Sequence, residues 1–373
     1  LARGLRFPRR ADGDRQGGGA ALTTPDPVRP LSSIQALRGL AALSVVVFHA
    51  FQWVGDRFWI GAAGVDVFFV VSGYVIWTVV ARGERHPGGF FWRRLTRVAP
   101  AYWLVTLGVA ALALAWPKLL PTVSLSPRHL ALSLAFIQHA DPRGTVFPLL
   151  PPGWSLNYEA VFYSLVALAL FAPAPLRFRL AASGLLGVAL FGFIDPPAYE
   201  LGANPMMLQF AAGAWLAHRA VPGRMPVRAG LALAAAGVAA LAGLWLAGLD
   251  SDLFRPALWG VPAVAIVAGA LAAEPVFARW TPRALLALGD ASYAIYLCHF
   301  VTVALAAWAL GSAPAWRFVA AAVALSLLAG LVFHRLVERP LIAAARALPG
   351  LAARWDFVHA RRRKVRGHAV GQP

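Results

Sequence analysis

The chain has 373 residues, of which 59% are hydrophobic and 13% charged, with a mean hydropathy of +0.64 and a formal net charge of +18. Soluble globular domains carry about 25% charged residues, so the apolar excess excludes an ordinary soluble enzyme and points to helices that face lipid. A single cysteine, Cys298, excludes an intramolecular disulfide framework, and no Cys/His spacing of a zinc site occurs, so no metal is expected.

Residues 1–30 are Gly- and Arg-rich, carry no apolar run, and read as a disordered cytoplasmic tail rather than a cleaved signal peptide. Apolar stretches of spanning length then recur at about 36–54, 60–81, 98–116, 154–172, 176–194, 204–220, 228–248, 255–273, 291–310 and 315–337. They predict an all-α, polytopic membrane protein with about ten transmembrane helices. The long outer loop, about 118–153, contains PRHLALSLAFIQH (127–139), which is short for a span and reads as an interfacial or re-entrant helix. No period of the length expected for a repeat architecture is present.

Lys and Arg concentrate in the N-terminal tail, in 82–97, at Arg177 and Arg179, in 219–228, at Arg279 and Arg283, and in 335–366. Alternating topology puts these segments on one side, which places both termini in the cytoplasm. The same asymmetry explains most of the positive charge without invoking nucleic acid. The stretch RRRKVR (361–366) reads as an anchor to anionic lipid. The expected organisation is a tail (1–32), a membrane domain (33–341) and a basic cytoplasmic tail (342–373) of a multi-pass protein in the cell (inner or plasma) membrane.

An ionisable side chain inside a span is costly unless paired, so each one is a functional candidate. Arg38 and His49 are eleven residues apart, about three helical turns and about 16–17 Å, on one face of the first span. Taken singly, Arg38 reads equally as a snorkelling anchor and His49 as a structural histidine bonded to a neighbouring helix. Asp66 lies roughly 9 Å into the second span, near the depth of His49 on an antiparallel neighbour. A carboxylate there would fix the imidazole tautomer and raise its basicity; the competing reading is a helix cap above the membrane. Gly64 and Gly73 suit close helix approach.

In the fourth span, Ser155, Glu159 and Phe162 share a stripe; a buried structural ion pair is the other reading of Glu159. In the ninth, Ser292, Tyr296 and His299 share one, and His299 reads first as a structural hydrogen-bonding group. Cys298 is off that stripe and reads as an inert buried thiol. Arg93, Arg94 and Arg97 gather at the inner start of the third span, as a phosphate site or as a consequence of the inside-positive rule alone. Glu338, in the closing ERP, is expected to pair with one of these arginines.

With these segments assembled, the sequence resembles the acyltransferase-3 family of integral membrane acyltransferases. The resemblance covers roughly Ser33 to Pro340. It rests on Arg-x10-His (Arg38 and His49), GVDVFFVVSGY (64–74), RRLTRVAPAYW (93–103), GWSLNYEAVFY (153–163), LGDASYAIYLCHF (288–300) and ERP (338–340), in family order. Ala160 departs from the acidic or polar residue common after the glutamate. The resemblance implies transfer of an acyl group, usually acetyl, from cytoplasmic acyl-CoA (acetyl-CoA) to a hydroxyl of a glycan or other envelope acceptor at the outer face. His49 would be the catalytic base oriented by Asp66, or would carry the acyl group itself. Glu159 would hold the acceptor or orient the base, and Arg38, Arg93, Arg94 and Arg97 would bind the coenzyme A phosphates. Two other readings stand beside this one: a proton-coupled transporter or flippase of an anionic or glycolipid substrate, since buried Arg, His, Asp and Glu fit transport equally well, and a non-catalytic relative acting as a sensor.

Overall fold

The computed structural model describes residues 31–55, 58–194, 204–249 and 254–347. The tails with RRRKVR, and Arg57, lie outside the described residues. Every regular element among the described residues is helical. In chain order these are α1 (Ser32–Gln52), α2 (Ala63–Ala81), α3 (Pro87–Ala115), α4 (Pro127–Leu134), α5 (Trp154–Ala169), α6 (Ala174–Ile194) and α7 (Met207–His218). They continue as α8 (Val227–Leu246), α9 (Val261–Ala272), α10 (Glu274–Trp280), α11 (Arg283–Asp290), α12 (Ser292–Leu310), α13 (Ala315–Phe333) and α14 (Arg339–Ala347).

All ten expected stretches are helical, and they differ in how well they suit a membrane span. Seven helices are long and apolar enough to cross a membrane: α1, α2 with the turn before it, α3, α6, α8, α12, and α13 with its continuation to Ala345. An eighth arises if the segment Pro256–Ala272 and α10, bent by 72° to each other, count as one broken span. At 16 and 12 residues, α5 and α7 fall short of the roughly 20 needed. Turns cut into both stretches: residues 170–172 leave the helix after α5, and α7 begins only after the turn at Pro205. Large aliphatic side chains such as Leu114, Ile194, Leu246 and Leu328 remain exposed, as lipid-facing positions would.

Local chemistry sets the helix ends near the site. The first N–H groups of α1 find no cap in their own sequence; instead Glu274 of α10 accepts from Ser32 N (2.8 Å) and Ser33 N (2.9 Å). A carboxylate at a helix N-terminus satisfies orphan donors and complements the dipole, and here it fixes the start of the helix that carries Arg38. Pro87 opens α3, where its missing N–H costs nothing. In the loop between α3 and α5, α4 is too short to span, as its sequence predicts, and Ser126 caps it by accepting from His129 N (3.1 Å). Asp141 closes the following turn. Burial works against its charged form, but the backbone N–H groups of Thr145 and Arg143 and the Ser124 hydroxyl hold its carboxyl below the ordinary range.

Helix α2 is the hub. A side chain at Gly64 would fall 2.5 Å from the Ala41 carbonyl of α1, and one at Gly73 would fall 2.2 Å from the Phe210 carbonyl of α7. Only glycine permits these backbone approaches, so both do the packing work expected of them. Phe69, Phe162 and Phe210 stack between α2, α5 and α7, with ring centroids 4.3 Å and 4.6 Å apart.

Candidate active site

Five helices wall a slot-shaped cavity. On α2 its lining runs from Val65 through Phe68 and Ser72 to Ile76, one helical stripe about 16–17 Å long. Arg38 enters from α1, Arg94 and Arg97 from α3, Ser155, Glu159 and Tyr163 from α5, and Ser292, Tyr293 and Tyr296 from α12.

One end is strongly cationic. Arg38 Nε donates to Ser292 Oγ (3.1 Å). The Nε of Arg94 is buried without a hydrogen-bond partner, and its guanidinium lies 5.6 Å from the Phe90 ring centre. Arg97 makes no hydrogen bond or ion pair with any described residue. The one carboxylate in the lining, Glu159, accepts from Ser72 Oγ (2.9 Å) and from the Tyr163 hydroxyl rather than from an arginine. Three guanidiniums against one carboxylate leave excess positive charge in the lining, an arrangement that an anion would relieve.

The other end is closed by Tyr296, whose hydroxyl donates to the Pro152 carbonyl (2.9 Å) and lies 2.9 Å from Ser155 Oγ. His49 does not line the cavity. It sits one layer beyond Tyr296, half-buried, with its ring centre 4.7 Å from that of His299, which is itself 5.5 Å from that of Tyr296. His49 Nδ1 is 2.8 Å from the Val45 carbonyl. A carbonyl only accepts, so Nδ1 carries the proton and Nε2 keeps its lone pair. The stripes of α1 and α12 therefore meet at two rungs, Arg38 with Ser292 and His49 with His299.

Several expected partnerships are replaced. Asp66 does not orient His49. It is fully buried on another face of α2, paired with Arg255 (2.8 Å) and accepting from Gln209 Nε2 (2.5 Å). Arg255 also packs over Trp259, 4.3 Å from the ring centre. Glu338 pairs with His334 (2.6 Å), not with an arginine of α3. Arg93 turns away from Arg94 and Arg97 and pairs with Glu84, its side chain half exposed. Phe162 leaves the Ser155–Glu159 stripe for the aromatic core, and Cys298 is half-buried. Ser72, Tyr163 and Tyr293 are cavity residues that charge-seeking reasoning passed over, although all three lie inside the motifs already singled out. No group of three or more His, Cys, Asp or Glu positioned to hold a metal occurs among the described residues.

A bundle of apolar helices that buries arginines, a glutamate and a histidine pair belongs to the class of membrane-helix enzymes and transporters. Comparison with known proteins supplies the family. Residues 31–335 match the family described as an acyltransferase domain, and the chain belongs to that family, acyltransferase-3. Among relatives, it is 37% identical over 324 residues to the exopolysaccharide production protein ExoZ of Rhizobium meliloti (strain 1021), covering 83% of this chain and 99% of that one. It is 30% identical over 366 residues to the acyltransferase MdmB of Streptomyces mycarofaciens, covering 85% and 92%. It is also 24% identical over 349 residues to the peptidoglycan O-acetyltransferase OatA of Listeria monocytogenes, covering 83% of this chain and 55% of that protein. No solved structure matches the chain.

Proposed function

We propose that this chain is a membrane O-acyltransferase of the cell (inner or plasma) membrane. It moves an acyl group, acetyl in the first instance, from cytoplasmic acyl-CoA to a hydroxyl of a glycan or other envelope acceptor at the outer face. The observation that carries this is the slot with Arg38, Arg94 and Arg97 at one end, one of them with a buried, unpartnered Nε. Coenzyme A phosphates are the anions that suit such a site, because guanidinium binds phosphate through paired, charge-assisted hydrogen bonds. The slot's length of about 16–17 Å along α2 is comparable to an extended pantetheine arm, which would bring the thioester to the Tyr296 end, beside His49. The names of ExoZ and OatA, tied to exopolysaccharide and to peptidoglycan O-acetylation, favour a glycan acceptor.

In this scheme His49 Nε2 takes the proton of the acceptor hydroxyl as its oxygen attacks the thioester carbonyl. The carbon–sulfur bond breaks, and the leaving thiolate takes that proton back. Transfer through an acyl-His49 intermediate would use the same lone pair. Glu159, held by Ser72 and Tyr163, balances the charge of the donor end. Asp66 anchors α2 through Arg255. Arg93 lies outside the slot and contributes at most long-range attraction.

The test is thiol release from acetyl-CoA by detergent-purified protein, with and without an extract of envelope glycans, for wild type and His49→Ala. Extract-dependent release that falls by about 10²–10⁴-fold in the variant supports a His49 base. Undiminished release in His49→Ala removes His49 from the chemistry. Failure of the folded wild type to release thiol from any acyl-CoA returns the chain to the transporter class.

A further inference from the structure

A second cavity, of about 260 Å³, lies in the loop between α3 and α5 and has no part in the scheme above. Ser124, His129, Asp141 and Thr145 are among its polar lining, and Phe147 and Pro151 among its apolar lining. Its place follows from α5. That helix begins at the Tyr296 end of the slot, with Ser155 beside the Tyr296 hydroxyl, so the turn before it lies past that end. The turn is a partition. Pro151 lines the second cavity, while the carbonyl of the next residue, Pro152, accepts from the slot residues Tyr296 (2.9 Å) and Ser155 (3.2 Å).

The histidine in this lining is 4% exposed. Its neighbour His139 donates from Nδ1 to the Ile137 carbonyl (2.7 Å), so the neutral His139 ring keeps a lone pair at Nε2, which accepts from His129 Nδ1 (2.7 Å). The other nitrogen of His129, Nε2, then holds a lone pair, and it has no hydrogen-bond partner among the described residues. Burial and the neighbouring His139 push His129 below the ordinary imidazole range, against the pull of Asp141, which favours the neutral ring. Asp141 has acceptor capacity to spare as well. Its Oδ1 is taken by the backbone N–H groups of Arg143 (2.9 Å) and Thr145 (2.8 Å), but its Oδ2 accepts from Ser124 Oγ at 3.3 Å, a long bond that leaves room for a further donor. Arg143, the one cation of the lining, is turned onto the Pro121 carbonyl (2.6 Å).

We propose that this cavity is an acceptor subsite that takes one sugar ring of the envelope glycan, with sugar hydroxyls donating to His129 Nε2 and Asp141 Oδ2 and the apolar C–H face of the ring lying on Phe147. This rests on the reading of the chain as an O-acyltransferase with a glycan acceptor. A sugar offers hydroxyl donors around an apolar face, and the cavity offers spare acceptors beside the half-exposed ring of Phe147. A phosphate has no such donors and would meet the Asp141 carboxylate; its chemistry suits the arginine end of the slot. The bound ring anchors the chain. The reacting hydroxyl belongs to a neighbouring unit, since Pro151 and Pro152 stand between this ring and the slot.

The test reads acceptor and donor separately. Phe147→Ala truncates a half-exposed ring. His129→Asn keeps an amide donor near the Nδ1 position for His139 and lacks Nε2. Both are purified in detergent beside wild type, with thermal unfolding midpoints as the folding control. Thiol release from acetyl-CoA is measured against rising concentrations of oligosaccharides cut from the envelope glycans of the source cells. Binding of the same oligosaccharides is measured without acetyl-CoA by thermophoresis. The expected result is a rise of about 3–10-fold in KM and Kd for the oligosaccharides in each variant, as for loss of a neutral hydrogen bond or a ring contact. KM for acetyl-CoA, and kcat at saturating oligosaccharide, should stay within about twofold of wild type. Unchanged KM and Kd for the oligosaccharides in both folded variants overturn the subsite. An equal rise in KM for acetyl-CoA also overturns it, because the loop would then merely support the slot. If His129→Asn does not fold, Thr145→Val takes its place in the same comparison. Wild type that binds the oligosaccharides in a Phe147-dependent way but releases no thiol sinks the acyltransferase reading and leaves the sugar site standing. Thiol release that needs the oligosaccharides but is indifferent to both variants sinks only the subsite.

Discussion

Two charge clusters sit on different faces of α2, and they are built to opposite rules. On one face Asp66 meets Arg255 and Gln209, the guanidinium lies over Trp259, and opposite charges are matched one to one. On the other face Arg38, Arg94 and Arg97 share a cavity with a single carboxylate that is bonded to hydroxyls. In the first the charges are paired, although Gln209 Oε1 and Trp259 Nε1 beside them have no hydrogen-bond partner. The second is open, short of negative charge, and keeps a buried guanidinium N–H idle. A buried ion pair with all its partners is a structural joint; a buried cation without them marks the place of a missing anion. Charge inside a membrane protein therefore signals function less by its presence than by its imbalance.

The largest effect expected from this contrast is on the paired face. Asp66→Ala leaves Arg255 buried without its counter-charge, which costs about 3–5 kcal/mol. It should appear as a sharp fall in the detergent unfolding midpoint and in the yield of monodisperse protein. Removing both partners together, in Asp66→Leu with Arg255→Met, should recover most of the loss, since a well-packed apolar pair is often as stable as a buried ion pair. If the double variant is stable but catalytically dead, Asp66 has a role in the chemistry and the contrast between the faces is broken.

On the open face the same kind of substitution should spare the fold and damage binding. Arg94→Leu and Arg97→Leu each remove charge-assisted contacts worth about 1.5–3 kcal/mol to a bound phosphate, a rise of about 10–150-fold in KM for acetyl-CoA. Their unfolding midpoints should be unchanged or higher, because excess positive charge has been removed. A drop in stability comparable to that of Asp66→Ala would make these arginines structural and place the donor elsewhere. Glu159→Gln should act more weakly, and in the opposite sense at the donor end: the arginines lose the one carboxylate of the cavity lining, so affinity for acetyl-CoA should hold or rise, measured as a KM equal to or below wild type.

Part of this was legible in the chain. The apolar stretches and the Arg38–His49 face follow from helical periodicity alone, and that face does meet the Ser292–His299 stripe of α12. The partner of Asp66 was not legible, because Arg255 lies 189 residues away in an outer turn where it reads only as a topology residue. Yet one sign was present. Two residues separate Gly64 from Asp66, about 200° of helix, so a helix that packs on α1 at Gly64 turns Asp66 away from α1 and from His49. Seven residues separate Asp66 from Gly73, which returns to nearly the same direction, toward α7 and Gln209. Which glycine met which helix is a tertiary fact, and the register of the charge followed from it. The lengths of two helices were not legible either: hydropathy does not see where a helix ends, and α5 and α7 are 16 and 12 residues long.

The smallest effect should come from a third carboxylate–guanidinium pair, Glu84 with Arg93, which separates charge from burial. Arg93 is only four residues ahead of Arg97, yet its side chain is half exposed and its partner lies in the turn after α2. Solvent screens such a pair to about 0–1 kcal/mol, and it does not line the slot. Arg93→Ala should therefore shift the unfolding midpoint by no more than a degree or two, change KM for acetyl-CoA by less than about threefold, and leave kcat alone. Any residual rise in KM should vanish at high salt, because only long-range attraction of an anionic donor is lost, and salt screens that attraction. A salt-insensitive rise as large as that of Arg94→Leu would mean that Arg93 leaves Glu84 to bind the donor directly, and the cationic end of the slot would then extend to the protein surface.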